Sequence, residues 1–328
     1  MRPDSVAEGA VVTVLRVPVE MAGKRLDIFV QSELKRTSRT RAQMIVEASA
    51  YDGENGRKLK SNDRVRAEQR VCLWRPAWDE VEVPTDLPIL FEDEHFLAIS
   101  KPAGVPVHPT ARYHKNTVVK LLESKRPDET LMLAHRLDRE TSGVLLLSKT
   151  SAADRAIKKM FATHDAIQKS YLAITWGVPR EKKFRVDLPL KLDMTSTTKV
   201  RMCVADDGLK AGTRFELLEV RQRGDQQYGL LRCDLETGRQ HQIRVHLAAN
   251  ELPIVGDKLY AFDEGYFKRD IDGEATDEDR ERLELPRHAL HAYRIELPHP
   301  MTNEPWVVEA SLPDDMQVFW SSLTPTST

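Results

Sequence analysis

Hydrophobic spacing switches between helical and strand periods along this chain, and the switches predict its elements. Leu26, Phe29, Val30 and Leu34 recur at helical spacing. Thr37-Ser38 offers an N-cap for a second short helix marked by Met44, Ile45 and Ala48, with Arg39 and Arg41 in its first turns. Asp52-Gly53-Glu54-Asn55-Gly56 is a turn signal. Beyond it, Val65, Ala67, Val71 and Leu73 alternate with a largely basic set, predicting a strand with one apolar and one basic face. Pro76 to Pro88 holds three prolines and reads as a linker. Two apolar runs, Ile89-Leu90-Phe91 and Phe96-Leu97-Ala98-Ile99, then flank an acidic turn as in a hairpin. Leu131-Met132-Leu133 and Val144-Leu145-Leu146-Leu147 read as buried strands. Ser151 and Asp154 have capping-box spacing ahead of a helix with Ala153, Ile157, Met160 and Phe161 on its apolar face. Strands are predicted at 169–174, 213–220 and 228–235. Another covers Phe184 to Leu192, at a sheet edge because of Pro189, and a helix is predicted near 240–249. The elements do not repeat as strand–helix–strand units. The fold class is therefore α+β, a mixed or antiparallel sheet with flanking helices.

Composition adjusts this picture in three places. With 328 residues, 41% of them apolar, the chain supports a large core and about two domains. The net charge of −2 hides an asymmetry. Residues 24–75 carry 13 Lys/Arg against 7 Asp/Glu, a net of +6. Residues 261–285 carry 4 against 10, a net of −6. The basic stretch is a candidate RNA footprint, whereas 263–285 reads as a mobile acidic insertion. Ser321 to Thr328 reads as a disordered tail. Cys72, Cys203 and Cys233 lack metal-ligand spacing and fit reduced thiols in a cytosolic protein. The N-terminus has no signal-peptide pattern and no apolar run reaches membrane length, so a cytoplasmic protein without a membrane partner is expected.

The most specific chemistry lies at His135-Arg136-Leu137-Asp138-Arg139-Glu140-Thr141-Ser142-Gly143. Asp138 falls on a predicted loop between two buried strands, where catalytic groups concentrate. Flanked by Arg136 and Arg139, its carboxylate is favoured in the ionised form, which suits a nucleophile. By residue type alone, the same Asp could cap a turn beside solvated arginines. The whole string, however, resembles the catalytic motif of the RluA-type pseudouridine synthases, in which the Asp is the nucleophile.

Three further segments resemble motifs of that family, in family order. Lys101-Pro102-Ala103-Gly104-Val105-Pro106-Val107-His108-Pro109 is similar to its opening motif. Thr237-Gly238-Arg239-Gln240-His241-Gln242-Ile243-Arg244-Val245-His246 resembles the motif whose later arginine, here Arg244, pairs with the catalytic Asp. Its earlier one, Arg239, would lie nearer phosphate, and a helix N-terminus with added arginines attracts anions in any case. Arg287-His288-Ala289-Leu290-His291-Ala292 resembles the last motif, with Leu290 lining the base pocket. Tyr171 matches the active-site tyrosine, whose ring would stack on the target base and whose hydroxyl could act in proton transfer. Arg136 would fill the place a flipped uridine vacates, and Arg139 would sit beside the RNA. Residues 25–29 and 38–45 resemble the alpha-L RNA-binding module, which places Arg39 and Arg41 at RNA, although the turn motif that follows is degraded.

The resemblance spans residues 24–312 and implies an isomerase that converts specific uridines of structured RNA, ribosomal or transfer, to pseudouridine. It implies an RNA-binding module in residues 1–80 (core 24–75), a catalytic domain over 81–320 and a tail at 321–328. It implies no cofactor, since the reaction is neither redox nor hydrolytic, and no metal. His241 and His246, five apart, do not share a helix face, and His288 and His291, three apart, lack an obvious third ligand. RNA is the expected partner and a monomer the expected state. The competing reading is an inactive RNA-binding or ribosome-assembly protein on the same fold, against which Asp138, Tyr171 and Arg244 all speak.

Overall fold

The computed structural model describes residues 2–34, 37–76, 80–110, 113–163 and 167–326. It separates into two compact units, 1–80 and 81–328.

In the first unit, β1 (Val11–Arg16) is followed by α1 (Leu26–Glu33), α2 (Arg39–Ser49), β2 (Ala50–Asp52) and β3 (Arg70–Arg75). The sheet order is β1-β3-β2, antiparallel throughout. Both helices form as their spacing predicts. Leu26, Phe29 and Val30 pack against Val46, Leu59 and Val71, and the Ser38 hydroxyl caps α2 by accepting from the Arg41 N–H. The predicted strand starts later than expected, because Val65 and Ala67 lie in the turn-rich approach to it.

The second unit runs β4 (Ile89–Glu92), β5 (Phe96–Lys101), α3 (Val118–Lys125), β6 (Met132–Leu133), β7 (Ser142–Ser148), α4 (Ser151–Thr163), β8 (Gln168–Trp176), β9 (Lys183–Asp187), β10 (Leu190–Leu192), β11 (Met202–Val204), β12 (Gly212–Arg223), β13 (Gln226–Leu235), α5 (Gln242–Ala249), α6 (Gly265–Asp272), α7 (Asp277–Leu283), β14 (Leu290–Pro298), β15 (Pro305–Glu309), α8 (Asp314–Ser321) and β16 (Thr324–Pro325). The main sheet orders as β16-β12-β13-β8-β14-β7-β5-β4, with β15 beside β14, β6 beside β7 and β9 beside β12. The β14–β7 pairing is parallel and the other pairings are antiparallel, so the sheet is mixed. β7 explains the unbroken apolar run. Val144 and Leu146 face one core with Phe96, Ala98 and Ile157, while Leu145 and Leu147 face the other with Leu97 and Ile99. Thr150, rather than Ser151, caps α4, its hydroxyl accepting from the Ala153 N–H.

Two expectations about disorder fail. Residues 263–285 form α6 and α7, anchored by buried Tyr266 and Leu283 and by a capping box between Thr276 and Asp279. Of the supposed tail, Ser321 ends α8 and Thr324–Pro325 pair with Gln222 and Arg221 of β12, with Leu323 buried, while residues 327–328 lie outside the described residues.

Candidate functional site

The loop between β6 and β7 carries Asp138, and the core fixes that loop from beneath. Gly143, at φ +112°, lets β7 approach β14 so closely that a Cβ there would lie 2.1 Å from the Ala292 carbonyl oxygen. Lys101 is fully buried and donates to the carbonyls of Pro102, Val105 and Arg139, which ties the opening motif to the loop. Burial, then the neighbouring Arg287, lowers its pKa to about 7. His135 Nε2 accepts from the Leu146 N–H, so this motif histidine holds the loop to β7.

Arg244 projects from α5 to the loop, its Nη1 lying 3.4 Å from Asp138 Oδ2. Its stronger bonds go to Asp257, at 2.7 and 2.8 Å through Nε and Nη2. Burial opposes the Arg244 charge, but Asp257 and then Asp138 outweigh it, and the guanidinium stays charged. The same pairing holds the buried Asp257 carboxyl below its usual range, against desolvation. The Asp138 side chain keeps 24% of its surface exposed, whereas that of Arg244 keeps 7%. An accessible carboxylate thus faces a fixed cation.

The start of α5 is shaped by Gln242, whose amide oxygen accepts from Thr237 Oγ1 and the Arg239 N–H. Its amide nitrogen donates to the Gly212 carbonyl and Thr213 Oγ1. His241 takes a left-handed backbone at φ 54° and brings Nε2 within 3.8 Å of Asp138, while Nδ1 meets the Tyr260 hydroxyl. Burial first, then Arg244, lowers its pKa to about 4, so the ring is neutral near pH 7. Pairing of β8 with β14 sets Ala173 opposite Leu290, which puts Tyr171 and Leu290 on one sheet face. Tyr171 is 9% exposed, and burial, reinforced by Asp138, pushes its phenol well above the usual value. A cavity of about 330 Å³ collects Asp138, Tyr171, Ile243, Arg244 and Leu290, with Arg136 and Arg239 at its wall.

The arginines beside Asp138 behave differently from expectation. Arg139 donates to the Tyr113 hydroxyl and to Glu140 and lies 3.6 Å from Asp270 of α6, so Asp138's close cation is Arg244. Arg136 is exposed and lines the cavity. Arg239 is partly exposed and donates to the Lys210 carbonyl. In the first unit, Arg39 lies 3.4 Å from buried Asp27, which also accepts from Arg25 and Gln43, and Arg41 is exposed. Among the described residues no group of three or more His, Cys, Asp or Glu side chains is placed to hold a metal. His246 and His291 are internal braces. His246 Nε2 donates to the Leu188 carbonyl and His291 Nε2 to the Ala310 carbonyl, leaving each Nδ1 to accept from Thr213 or Ser142.

Sequence reasoning missed Asp257. Its one trace was an acid directly after the apolar Ile254-Val255 and a glycine.

Comparison with known proteins gives the family of the chain. Residues 95–249 match the family model described as RNA pseudouridylate synthase. Ribosomal large subunit pseudouridine synthase D of Xanthomonas campestris pv. campestris is 35% identical over 317 residues, covering 94% of this chain and 91% of that protein. Ribosomal large subunit pseudouridine synthase C of Escherichia coli strain K12 is 30% identical, covering 93% of this chain and 95% of that protein. Among solved structures, human RNA pseudouridylate synthase domain containing 4 is 27% identical with a TM-score of 0.54, over 73% of this chain and 94% of that one. With such identity over nearly the full length of both chains, this chain belongs to the RNA pseudouridylate synthase family of the RluA type and is an isomerase acting on RNA.

Proposed function

We propose that this protein isomerises uridines of ribosomal large-subunit RNA, with Asp138 as the nucleophile and the cavity above Tyr171 as the seat of the target base. The observation that carries the proposal is the accessible Asp138 carboxylate, 3.4 Å from Arg244 in a cavity floored by Tyr171 and Leu290. Pseudouridine forms when the bond from ribose carbon one to base nitrogen one breaks, the uracil turns, and carbon five bonds to the ribose. Carbon five loses a proton and nitrogen one gains one, so atoms balance and no cofactor is needed. Asp138 supplies an anionic oxygen that bonds to an electron-poor carbon as the base departs with the electron pair, and that is released as a carboxylate when the carbon–carbon bond forms. Arg244, fixed by Asp257, aims that oxygen and sets a positive charge 3.4 Å from it. The Tyr171 ring offers the base a stacking surface, and its hydroxyl, held protonated by burial, is a neutral partner near pH 7. The target uridine leaves its stack to reach Asp138, and Arg136 is poised to fill the vacancy.

The choice of ribosomal RNA rests on the names of the relatives in Xanthomonas and Escherichia. Residues 1–80 act in this reading as an RNA-binding module, with Arg39 and Arg41 toward phosphate and a net charge of +6 over 24–75. Arg139 and Arg239 complete the RNA-facing set. The protein acts as a monomer in the cytoplasm. Mapping pseudouridines in RNA from cells with and without the gene tests the proposal. Loss of sites confined to large-subunit RNA is the expected result, and loss confined to transfer RNA would overturn the assignment of substrate.

A further inference from the structure

Asp138 borders two cavities. The second, of about 480 Å³, includes Val107, Tyr113, Val200, Phe267 and Ile271 in its wall. It shares Arg136, Leu137, Asp138, Gln240, His241 and Arg244 with the first. Both volumes fall in the range of small-ligand sites, roughly 300–1,000 Å³. One isomerising uracil occupies one cavity, so the second is unused by the chemistry.

We infer that the second cavity receives another unstacked nucleobase of the same RNA, a sequence neighbour of the target, held against Phe267 of the acidic insertion. This inference rests on the proposed seating of the target base above Tyr171. Continuity fixes the occupant. A strand that places one nucleotide at Asp138 passes Arg136, and its neighbour lies within reach of the adjoining space. The walls suit a base, setting Tyr113 and Phe267 with apolar Val107, Val200 and Ile271 against polar groups at His108 and Gln240 and charged ones at Arg139, Glu140 and Lys258. The insertion is built to present that wall. Tyr266 and Leu283 bury as anchors, Asp270 pairs with Lys258 at 3.0 Å, and Glu264 accepts from the Ser196 and Thr197 hydroxyls. Phe267 and Ile271, one turn apart on α6, are left facing the cavity. On the cavity side of the insertion Asp270 meets Lys258 and Arg139, two cations it shares with Glu140, so the acid nearest the cavity does not stand unpaired beside RNA.

Whichever RNA the purified protein converts supplies the test oligonucleotide, so a non-ribosomal substrate overturns the earlier assignment and leaves this test standing. Each nucleotide flanking the target is replaced in turn by an abasic ribose. Single-turnover kcat/KM is measured for the unaltered protein, Phe267→Ala, Val200→Trp and, as a control on the outer side of α6, Lys268→Ala. Stacking of a base on an aromatic ring changes affinity by about fivefold to a hundredfold. One abasic position should therefore cost the unaltered protein and Lys268→Ala at least about fivefold. That penalty should fall below about twofold in Phe267→Ala, whose wall is gone, and in Val200→Trp, whose cavity is filled. Thermal melting checks that each variant folds, and Val200→Trp decides if Phe267→Ala does not. The inference is overturned if no flanking position costs fivefold, or if the penalty survives in the folded variants. It is also overturned if Phe267→Ala slows turnover equally on every RNA, which would place the turning target base in this cavity.

Discussion

Asp138 and Arg244 stand at the centre of the site, but the residue that sets their geometry is Asp257. Arg244 spends two of its nitrogens on Asp257 and offers a third to Asp138. Arg244→Met should therefore lower single-turnover rate by about two decades or more, ~3 kcal/mol, while RNA affinity changes little. Asp257→Asn should act in the same direction by about tenfold. Rapid-quench turnover alongside filter binding separates these effects, and a variant that binds RNA poorly yet converts bound RNA normally contradicts the assignment. Asp138, Arg244 and Leu290 were legible as candidates because each falls in a motif, and Tyr171 because it matches the family's active-site tyrosine. Asp257 was not, since nothing in a linear pattern pairs it with an arginine 13 residues earlier. Nor does adjacency mean contact, as Arg139 follows Asp138 in the chain but turns to Tyr113 and Glu140. A second residue-scale prediction concerns His291. Buried between Ser142 and the Ala310 carbonyl, it has a pKa lowered to about 4, chiefly by burial. The unfolded chain protonates this imidazole below about pH 6.5 and the folded one resists. Its contribution to stability is thus present above pH 6.5 and lost as pH falls through 4. His291→Gln should destabilise at pH 7, by a margin that shrinks toward pH 4 in urea titrations. A margin independent of pH contradicts the neutral, buried assignment.

At the scale of elements, most predicted helices and strands of the second unit recur at their expected places, because apolar runs such as the continuously buried β7 leave a clear signal. The failures share one cause, local reading of a non-local element. β1 went unpredicted because its partner β3 lies some sixty residues away. The insertion read as mobile because its charge masked Tyr266, Phe267, Ile271 and Leu283. A folded insertion predicts that amides within α6 and α7 exchange with solvent far more slowly than those of an unstructured acidic peptide. Hydrogen exchange followed by mass spectrometry measures this. Exchange of residues 265–283 at coil rates would contradict the docking by Tyr266, Leu283 and Asp270.

For the whole molecule, the candidate site lies entirely within the second unit, and the charge distribution divides the work. A fragment beginning at Val81 retains Asp138, Tyr171, Arg244 and Asp257. Residues 24–75 hold the net charge of +6 in the first unit. Each phosphate that the protein no longer neutralises lowers the magnitude of the salt slope by about 0.9, by analogy with duplex DNA. Removing residues 1–80 should flatten the slope of RNA binding by roughly two to four units and leave turnover at saturating RNA near that of the full chain. Arg39 is partly committed to Asp27, which favours the lower figure. A salt series on both proteins decides, and an unchanged slope would make the basic face a solvated surface. The fold class was legible at this scale because it follows from burial and spacing, and the order of motifs because it resembles that of the family. The two cavities flanking Asp138 were not, since they arise only where loops from distant strands meet.

The most direct measurement of the central claim is conversion of bound RNA by Asp138→Asn. The substitution keeps the size of the side chain and the partly exposed position beside Arg244 while removing the anionic oxygen. Tritium release from carbon five of labelled uridine RNA under single-turnover conditions should fall by many decades, with RNA affinity and melting temperature close to those of the unaltered protein. Release within about tenfold of the unaltered rate, only ~1.4 kcal/mol of barrier, would contradict Asp138 as the nucleophile.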